Sequence, residues 1–160
     1  MGRTGKLWAF EHAGISPDVV TSAKGIGNGL PMGACLCTEK CANILTAGTH
    51  GTTFGGNPVA CAGAKYILNT LTDDFMDKVT EKGEYIRSKL AEIDEVKSVT
   101  GLGLMLGIEL KTKNAGEIAK KCSENGLLIL TAKTKLRMLP PLVITKEEID
   151  KGIAILKQFL

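Results

Sequence analysis

The sequence predicts an α/β fold in two parts, a piece of a larger sheet followed by a small α+β domain. Glycine, proline and short apolar runs dominate before residue 57, whereas amphipathic helical patterns alternate with short strand patterns after it. A chain of 160 residues with 44% hydrophobic residues can form one packed domain and part of another. We therefore assign residues 1–56 to the sheet piece, 57–72 to a connecting helix and 73–160 to the small domain.

Two short apolar runs, separated by a glycine-rich loop, predict the strands of the first part. The runs cover residues 18–21 and 34–37, and the loop covers residues 24–29. Small and β-branched residues of this kind are typical of strands buried in an α/β sheet. Two such strands bury little area, so we expect another part of the protein or a partner subunit to cover them.

Capping residues and helical periodicity predict the next two helices. Asn57 is a good N-cap, and Pro58 suits the first turn that follows it. A second helix starts near Asp74. Apolar residues at helical spacing line one face of each helix, namely Ala60, Ala64, Ile67, Leu68 and Leu71, and then Phe75, Val79, Ile86, Leu90 and Ile93.

Strands, which we expect to be antiparallel, and two more helices complete the small domain. The predicted strands cover residues 96–100, 104–110, 127–131 and 136–138. A short helix at 115–125 is stopped by Gly126. Thr145 and Glu148 form a capping box that opens the last helix, whose apolar face comprises Ile149, Ile153, Leu156 and Leu160.

Charge and hydropathy exclude several classes of partner. The net charge of +3 comes from 20 basic and 17 acidic residues that are scattered along the chain. This pattern predicts no binding to nucleic acid or to a membrane surface. Neither a signal peptide nor a membrane-spanning apolar run is visible, so we expect a soluble, cytoplasmic protein.

The five cysteines predict reduced thiols rather than a disulfide framework, because their number is odd and their spacing irregular. Cys35, Cys37 and Cys41 could together hold a metal ion. Against this alternative, the chain has only two histidines and no second cysteine pair. We expect no metal site.

Lys24 is the first candidate for chemistry. It follows a predicted strand and heads the glycine-rich loop, with small residues on both sides. A lysine in that place can reach a cofactor without steric conflict, and a desolvated amine is a nucleophile toward aldehydes. The alternative is a surface lysine in a turn.

Two other segments have residue types suited to anionic ligands. Residues 50–58, which include Thr53, place hydroxyls and backbone N–H groups before a helix N-terminus, as a phosphate requires; the alternative is an ordinary capped helix. Arg137 lies in an otherwise apolar strand and therefore needs a partner. That partner could be a carboxylate ligand, held bidentately, or an internal Asp or Glu.

Together these segments resemble the class III (ornithine-type) aminotransferases, which have fold-type I and use pyridoxal 5′-phosphate (PLP). The resemblance extends over essentially the whole chain, through ordered motifs at residues 2–7, 17–34, 50–62, 103–109 and 136–141. It implies a homodimer. It also implies that Lys24 forms the Schiff base with PLP, that Thr53 binds the PLP phosphate across the dimer interface, and that Arg137 grips the substrate α-carboxylate.

The resemblance is greatest to members of the family that transfer the amino group of N-acetylornithine to 2-oxoglutarate in arginine biosynthesis. An Asp-Glu-Val-Gln motif, a phosphate-binding glycine loop and a stacking aromatic of the family are absent from the 160 residues. We therefore expect a C-terminal fragment, with residues 1–56 a remnant of the PLP-binding large domain, that is inactive alone. The alternatives are an ornithine or 4-aminobutyrate aminotransferase, or a catalytically silent fragment that only assembles. Asn28 departs from the family's usual glycine.

Overall fold

The structure is a computed structural model that describes all residues from 1 to 160. These residues form two compact units. The first unit contains Met1 and Lys6–Phe75, and the second contains Gly2–Gly5 and Met76–Leu160. The α-helices are α1 (Pro58–Thr70), α2 (Asp73–Ala91), α3 (Ala115–Glu124) and α4 (Lys146–Lys157). The strands are β1 (Val19–Ala23), β2 (Gly33–Cys37), β3 (Val96–Leu102), β4 (Met105–Leu110), β5 (Leu130–Ala132) and β6 (Lys135–Met138). Short 3₁₀ turns occur at Ala9–Ala13, Lys24–Ile26 and Glu39–Cys41.

Strands β1 and β2 of the first unit pair antiparallel, from Val19 opposite Cys37 to Ala23 opposite Gly33. Both strands were predicted, but their expected burial is not found in this chain. Val19 remains 49% exposed and Leu36 48% exposed. A sheet of only two strands cannot shield its own faces, which is why these apolar side chains stay accessible.

Helix α1 begins as its capping residues predict. The Asn57 Oδ1 atom accepts hydrogen bonds of 3.0 Å from the Val59 N–H and 3.1 Å from the Ala60 N–H, and Pro58 occupies the first helical position. The predicted apolar face is buried only in part, since Ala60 and Ala64 are buried whereas Leu68 is 44% exposed.

The sheet of the second unit has four strands in the order β3-β4-β6-β5, all antiparallel as predicted. Alternation along β4 separates its two faces. Leu106, Ile108 and Leu110 are buried, whereas Met105 is exposed and Gly107 is half-buried. The face that carries Gly107 is called the outer face below.

The apolar stripes predicted for α2 and α4 form the core of the second unit, together with one face of α3 and the buried face of the sheet. The core side chains include Val79, Ile86, Leu90, Ile118, Cys122, Leu106, Ile108, Leu136, Ile149, Ile153 and Leu156. The capping box of α4 is confirmed, because the Thr145 N–H donates to Glu148 Oε2 at 2.8 Å and the Glu148 N–H donates to Thr145 Oγ1 at 3.2 Å. None of the helices combines the length and apolarity that crossing a bilayer requires.

Strand β5 starts later than predicted, at Leu130 instead of residue 127. Helix α3 ends in a Schellman arrangement, in which the Leu127 N–H donates to the Cys122 carbonyl at 2.9 Å and the Gly126 N–H donates to the Ser123 carbonyl at 3.2 Å. Gly126 adopts φ +85° to make this turn. Residue 127 is therefore part of the helix end rather than of the strand.

The segment Gly2–Gly5 packs within the second unit. The Leu104 N–H donates to the Arg3 carbonyl at 2.9 Å. The Arg3 guanidinium in turn donates to the carbonyls of Leu104 at 3.0 Å and Pro140 at 2.8 Å. Partial burial of the guanidinium lowers the pKa of Arg3 from its ordinary value. Arg3 thus connects the β3–β4 turn to the segment that follows β6.

Candidate functional site

Lys24 directly follows β1 and begins a 3₁₀ turn in the first unit. Its φ angle of +55° lies in the left-handed region, which residues other than glycine seldom adopt. Such a conformation costs on the order of 1–3 kcal/mol and is frequently found at functional sites. The Lys24 side chain is exposed in this chain, as expected for the alternative of a surface lysine in a turn.

The loop after Lys24 is held by tight backbone contacts. The Gly27 N–H donates to the Lys24 carbonyl at 3.1 Å, and the Leu30 N–H donates to the Gly27 carbonyl at 3.0 Å. A Cβ atom on Gly27 would collide with the Leu30 carbonyl oxygen. Ile26 anchors the turn with only 5% of its surface exposed. These contacts fix the backbone on which Lys24 is presented.

Thr53 lies in an exposed loop four residues before the Asn57 cap. The amides of Val59 and Ala60, which could otherwise bind a phosphate at the start of α1, are already taken by Asn57. These two amides therefore belong to an ordinary capped helix, which was the alternative to a phosphate site. The exposed hydroxyls of Thr52 and Thr53 remain groups in this segment that can donate to a phosphate.

Arg137 lies in β6 of the second unit, between Gly107 of β4 and Leu130 of β5. Its Nε atom is the one buried side-chain nitrogen or oxygen of the chain without a hydrogen-bond partner. A buried donor left unsatisfied costs about 1–3 kcal/mol, and more where the group is charged. An acceptor supplied by a ligand would remove that cost.

Glu109, the acidic residue on the outer face near Arg137, is committed to two lysines. Its Oε1 atom lies 2.6 Å from Lys97 Nζ, and its Oε2 atom lies 3.3 Å from Lys135 Nζ. The hydrogen bond from Lys97, and then the one from Lys135, lower the pKa of Glu109 from 4.5 to about 2. Glu109 is therefore ionised and paired with two lysines. It is not the internal acidic partner that was considered for Arg137.

A cavity of about 260 Å³ borders Arg137 in the second unit, between the β5–β6 strands and α4. Its walls are mostly apolar, and Arg137 and Glu148 are the charged residues among them. The Glu148 carboxylate already accepts the Thr145 N–H of the capping box. Arg137 is thus the charged residue beside this cavity whose Nε atom has no hydrogen-bond partner.

The three predicted site residues are therefore distributed over both units. Lys24 and Thr53 lie in the first unit, and Arg137 lies in the second. The cysteines that were considered as metal ligands are free thiols, with Cys35 and Cys37 exposed and Cys41 half-buried. An amine, a hydroxyl and a guanidinium are the groups suited to an aldehyde, a phosphate and a carboxylate.

Comparison with known proteins identifies the family. The family model described as aminotransferase class-III matches residues 1–160. The chain is 46% identical over 161 residues to an acetylornithine aminotransferase from Haemophilus ducreyi, covering all of this chain and 41% of the relative. It is 48% identical over 166 residues to one from Lactococcus lactis, covering all of this chain and 44% of that protein. The chain thus spans less than half the length of these relatives.

Solved structures agree with the sequence relatives. An acetylornithine aminotransferase from Elizabethkingia anophelis superposes with a TM-score of 0.86 at 32% identity, over 98% of this chain and 44% of that one. An ornithine aminotransferase from Toxoplasma gondii superposes with a TM-score of 0.86 at 31% identity, over 98% of this chain and 40% of that one. These similarities confirm the predicted partial α/β fold of fold-type I. The match over all 160 residues shows that the chain belongs to the class-III aminotransferases, a family of PLP-dependent enzymes.

Proposed function

We propose that this chain forms the C-terminal part of a cytoplasmic, homodimeric enzyme that transfers the amino group of N-acetylornithine to 2-oxoglutarate, a step of arginine biosynthesis. The observation that carries the proposal is the buried Nε atom of Arg137, which has no partner in the chain. Both substrates contain a carboxylate that can accept from a guanidinium. The names of the curated relatives support N-acetylornithine as the amino donor.

The residues of the first unit fit PLP by their chemistry. The Lys24 amine would hold the aldehyde carbon, and the Thr53 hydroxyl would hold the phosphate in the partner subunit of a dimer. When bound, PLP supplies an electron sink for the substrate carbon. The strained, exposed backbone position of Lys24 at the end of β1 supports its assignment as the residue that holds the cofactor.

Each proposed residue then has a distinct task. The Lys24 amine takes and returns a proton at the carbon that carries the transferred amino group. Arg137 binds the α-carboxylate and thereby fixes the orientation of that carbon. Positioning of this kind lowers the activation barrier because the reacting groups no longer need to find each other in solution.

A second candidate is an ornithine aminotransferase, which is favoured by the similarity to the Toxoplasma gondii structure. Ornithine and N-acetylornithine differ in the α-amino group, which is charged in the former and acylated in the latter. Both retain the α-carboxylate proposed for Arg137. A 4-aminobutyrate enzyme is a further alternative within the family.

The test is an assay of the complete enzyme that contains this chain. Purified enzyme is supplied with 2-oxoglutarate and with N-acetylornithine, ornithine or 4-aminobutyrate in turn. We expect the highest kcat/KM with N-acetylornithine. A higher kcat/KM with ornithine would establish the second candidate, and no transamination with any donor would contradict the proposal.

The 160-residue chain on its own is proposed to be inactive. The resemblance places the group that pairs with the PLP ring nitrogen, the glycine loop for the phosphate and the stacking aromatic outside these residues. The same assay, applied to the purified chain with added PLP, should show no turnover above free PLP. Turnover near the rate of the complete enzyme would contradict this part of the proposal.

A further inference from the structure

One row of residues crosses the sheet of the second unit on its outer face. Thr100 lies opposite Gly107, Gly107 lies opposite Arg137, and Arg137 lies opposite Leu130. Directly opposite residues of antiparallel strands point to the same face of the sheet. Since adjacent strands are about 4.8 Å apart, Thr100 and Arg137 are separated by about 10 Å, with Gly107 between them.

The glycine at position 107 is not required by its backbone conformation. Gly107 lies in the middle of β4 and is not among the residues with positive φ. A glycine inside a strand weakens the strand and frequently marks a close approach by a ligand or another backbone. The glycine is therefore explained by the space above it and not by its backbone conformation.

That space is open. A Cβ atom on Gly107 would lie 3.2 Å from Thr100 Oγ1 and 3.7 Å from Lys135 Cδ, with no other contact within 4 Å. The Arg137 side chain does not fill the gap, even though Arg137 is the direct cross-strand neighbour. The row thus has a gap at Gly107, which lies between Thr100 on one neighbouring strand and Arg137 on the other.

We propose that Gly107 is the floor of the carboxylate subsite, a specificity-determining position that leaves room for the ligand held by Arg137. This inference rests on the proposed role of Arg137 as the substrate-carboxylate ligand. A carboxylate held by the guanidinium extends over Gly107 toward Thr100. Any side chain at position 107 would occupy the volume that the carboxylate needs.

The neighbouring charges favour one carboxylate at this place. Lys135 is tied to Glu109, so it adds little free positive charge to the gap. The Thr100 hydroxyl donates only a long bond of 3.3 Å to the Gly107 carbonyl, and it can turn to donate to a ligand. The subsite therefore offers the guanidinium donors and a single hydroxyl.

The experiment is an NMR titration of the ¹⁵N-labelled 160-residue chain with 2-oxoglutarate. The chain has three arginines, at positions 3, 87 and 137, so the Arg137 Nε–H signal is identified by its loss in Arg137→Ala. In the unmodified chain we expect this signal to shift saturably. In Gly107→Val we expect at least tenfold weaker binding; valine favours strands, and its Cβ requires the Thr100 hydroxyl, 3.2 Å away, to move by only a few tenths of an ångström.

Two further variants provide a matched control and a milder substitution. Ala132→Val adds bulk on β5, where Ala132 is exposed and pairs with Lys135, and it should change affinity by less than twofold. Gly107→Ala is the milder change if Gly107→Val does not fold, and it should weaken binding about threefold. In the complete enzyme, Gly107→Ala should raise the KM for 2-oxoglutarate and leave kcat within about twofold.

The outcomes separate this inference from the proposed function. If Arg137→Ala abolishes binding but both Gly107 variants bind like the unmodified chain, the floor assignment is wrong and the role of Arg137 stands. If the Arg137 signal does not respond to 2-oxoglutarate in the unmodified chain, both the role of Arg137 and the inference about Gly107 are overturned. The assignment of Lys24 is independent of either result.

Discussion

Lys97 Nζ lies 2.6 Å from Glu109 Oε1, so an ion pair joins β3 to β4 on the solvent side of the sheet. Lys135 approaches the other carboxylate oxygen from β6 at 3.3 Å. These two cations hold the pKa of Glu109 at about 2, below its ordinary 4.5. One carboxylate thus connects three strands of the sheet that carries Arg137.

This network predicts a specific pH dependence. Because the pKa of Glu109 is lower in the folded chain, its contribution to stability is complete above about pH 4.5 and is lost as the pH falls toward about 2. Glu109→Gln should therefore melt at a lower temperature than the unmodified chain at pH 7, and the two should converge near pH 2. Asp94→Asn is the control, since it removes an ion pair between Lys111 and a fully exposed carboxylate and should have little effect. A difference in melting temperature that persists at pH 2 would exclude this role for Glu109.

The segment around Arg3 should stabilise the second unit. Arg3→Ala leaves the carbonyls of Leu104 and Pro140 without their donor, which should lower the free energy of unfolding by about 2 kcal/mol. Arg3→Lys retains the charge and should lower the free energy of unfolding by a smaller amount. Urea denaturation of the three proteins measures the difference. Equal stability of Arg3→Ala and the unmodified chain would show that these hydrogen bonds are replaced by water at no cost.

The cysteines should differ in reactivity. Cys35, Cys37 and Cys61 are exposed, whereas Cys122 is buried in the core and its thiol pKa is raised by that burial. Brief treatment of the native chain with iodoacetamide should label the exposed cysteines and spare Cys122, which should react only in denaturant. Peptide mass spectrometry gives the labelled positions. Rapid labelling of native Cys122 would mean that the core opens readily.

The local elements of this fold were predictable because their signals are local. Asn57 and the Thr145–Glu148 box lie within four residues of the amides that they cap. The two partners of Arg3, by contrast, are 101 and 137 residues away, and no sequence periodicity connects them to it. The start of β5 was missed because Leu127 completes the end of α3, an effect of backbone hydrogen bonding that its apolar side chain conceals.

The candidate site was predictable only in part. Residue type and position singled out Lys24, the segment 50–58 and Arg137, and the family resemblance selected Thr53 within that segment. The left-handed backbone of Lys24 and the unpartnered Nε of Arg137 required coordinates. Gly107 had no assigned role in the sequence, since a glycine in a strand pattern has several explanations. Its position opposite Arg137 depends on the strand register.

Substitution of Arg137 in the complete enzyme should separate substrate binding from cofactor binding. Arg137→Ala should lower kcat/KM for both the amino donor and the oxo-acid, since loss of a charged hydrogen-bonded contact costs about 2–5 kcal/mol. The absorption of bound PLP should not change. Arg137→Lys retains the charge but cannot bind a carboxylate bidentately, so its kcat/KM should lie between those of the unmodified enzyme and Arg137→Ala. A decrease in kcat/KM of less than about tenfold, or ~1.4 kcal/mol, would make Arg137 structural.

The central claim is that Lys24 binds PLP covalently, and peptide mass spectrometry tests it most directly. The complete enzyme is loaded with PLP, reduced with borohydride and digested, and Lys24→Ala is treated in the same way as a control. Lys40 is a useful internal comparison, because its amine is exposed and pairs with Asp18 at 3.3 Å. We predict one reduced PLP adduct, on Lys24, that is absent from the Lys24→Ala variant. An adduct on Lys6 or Lys40 instead, with Lys24 unmodified, would contradict the assignment.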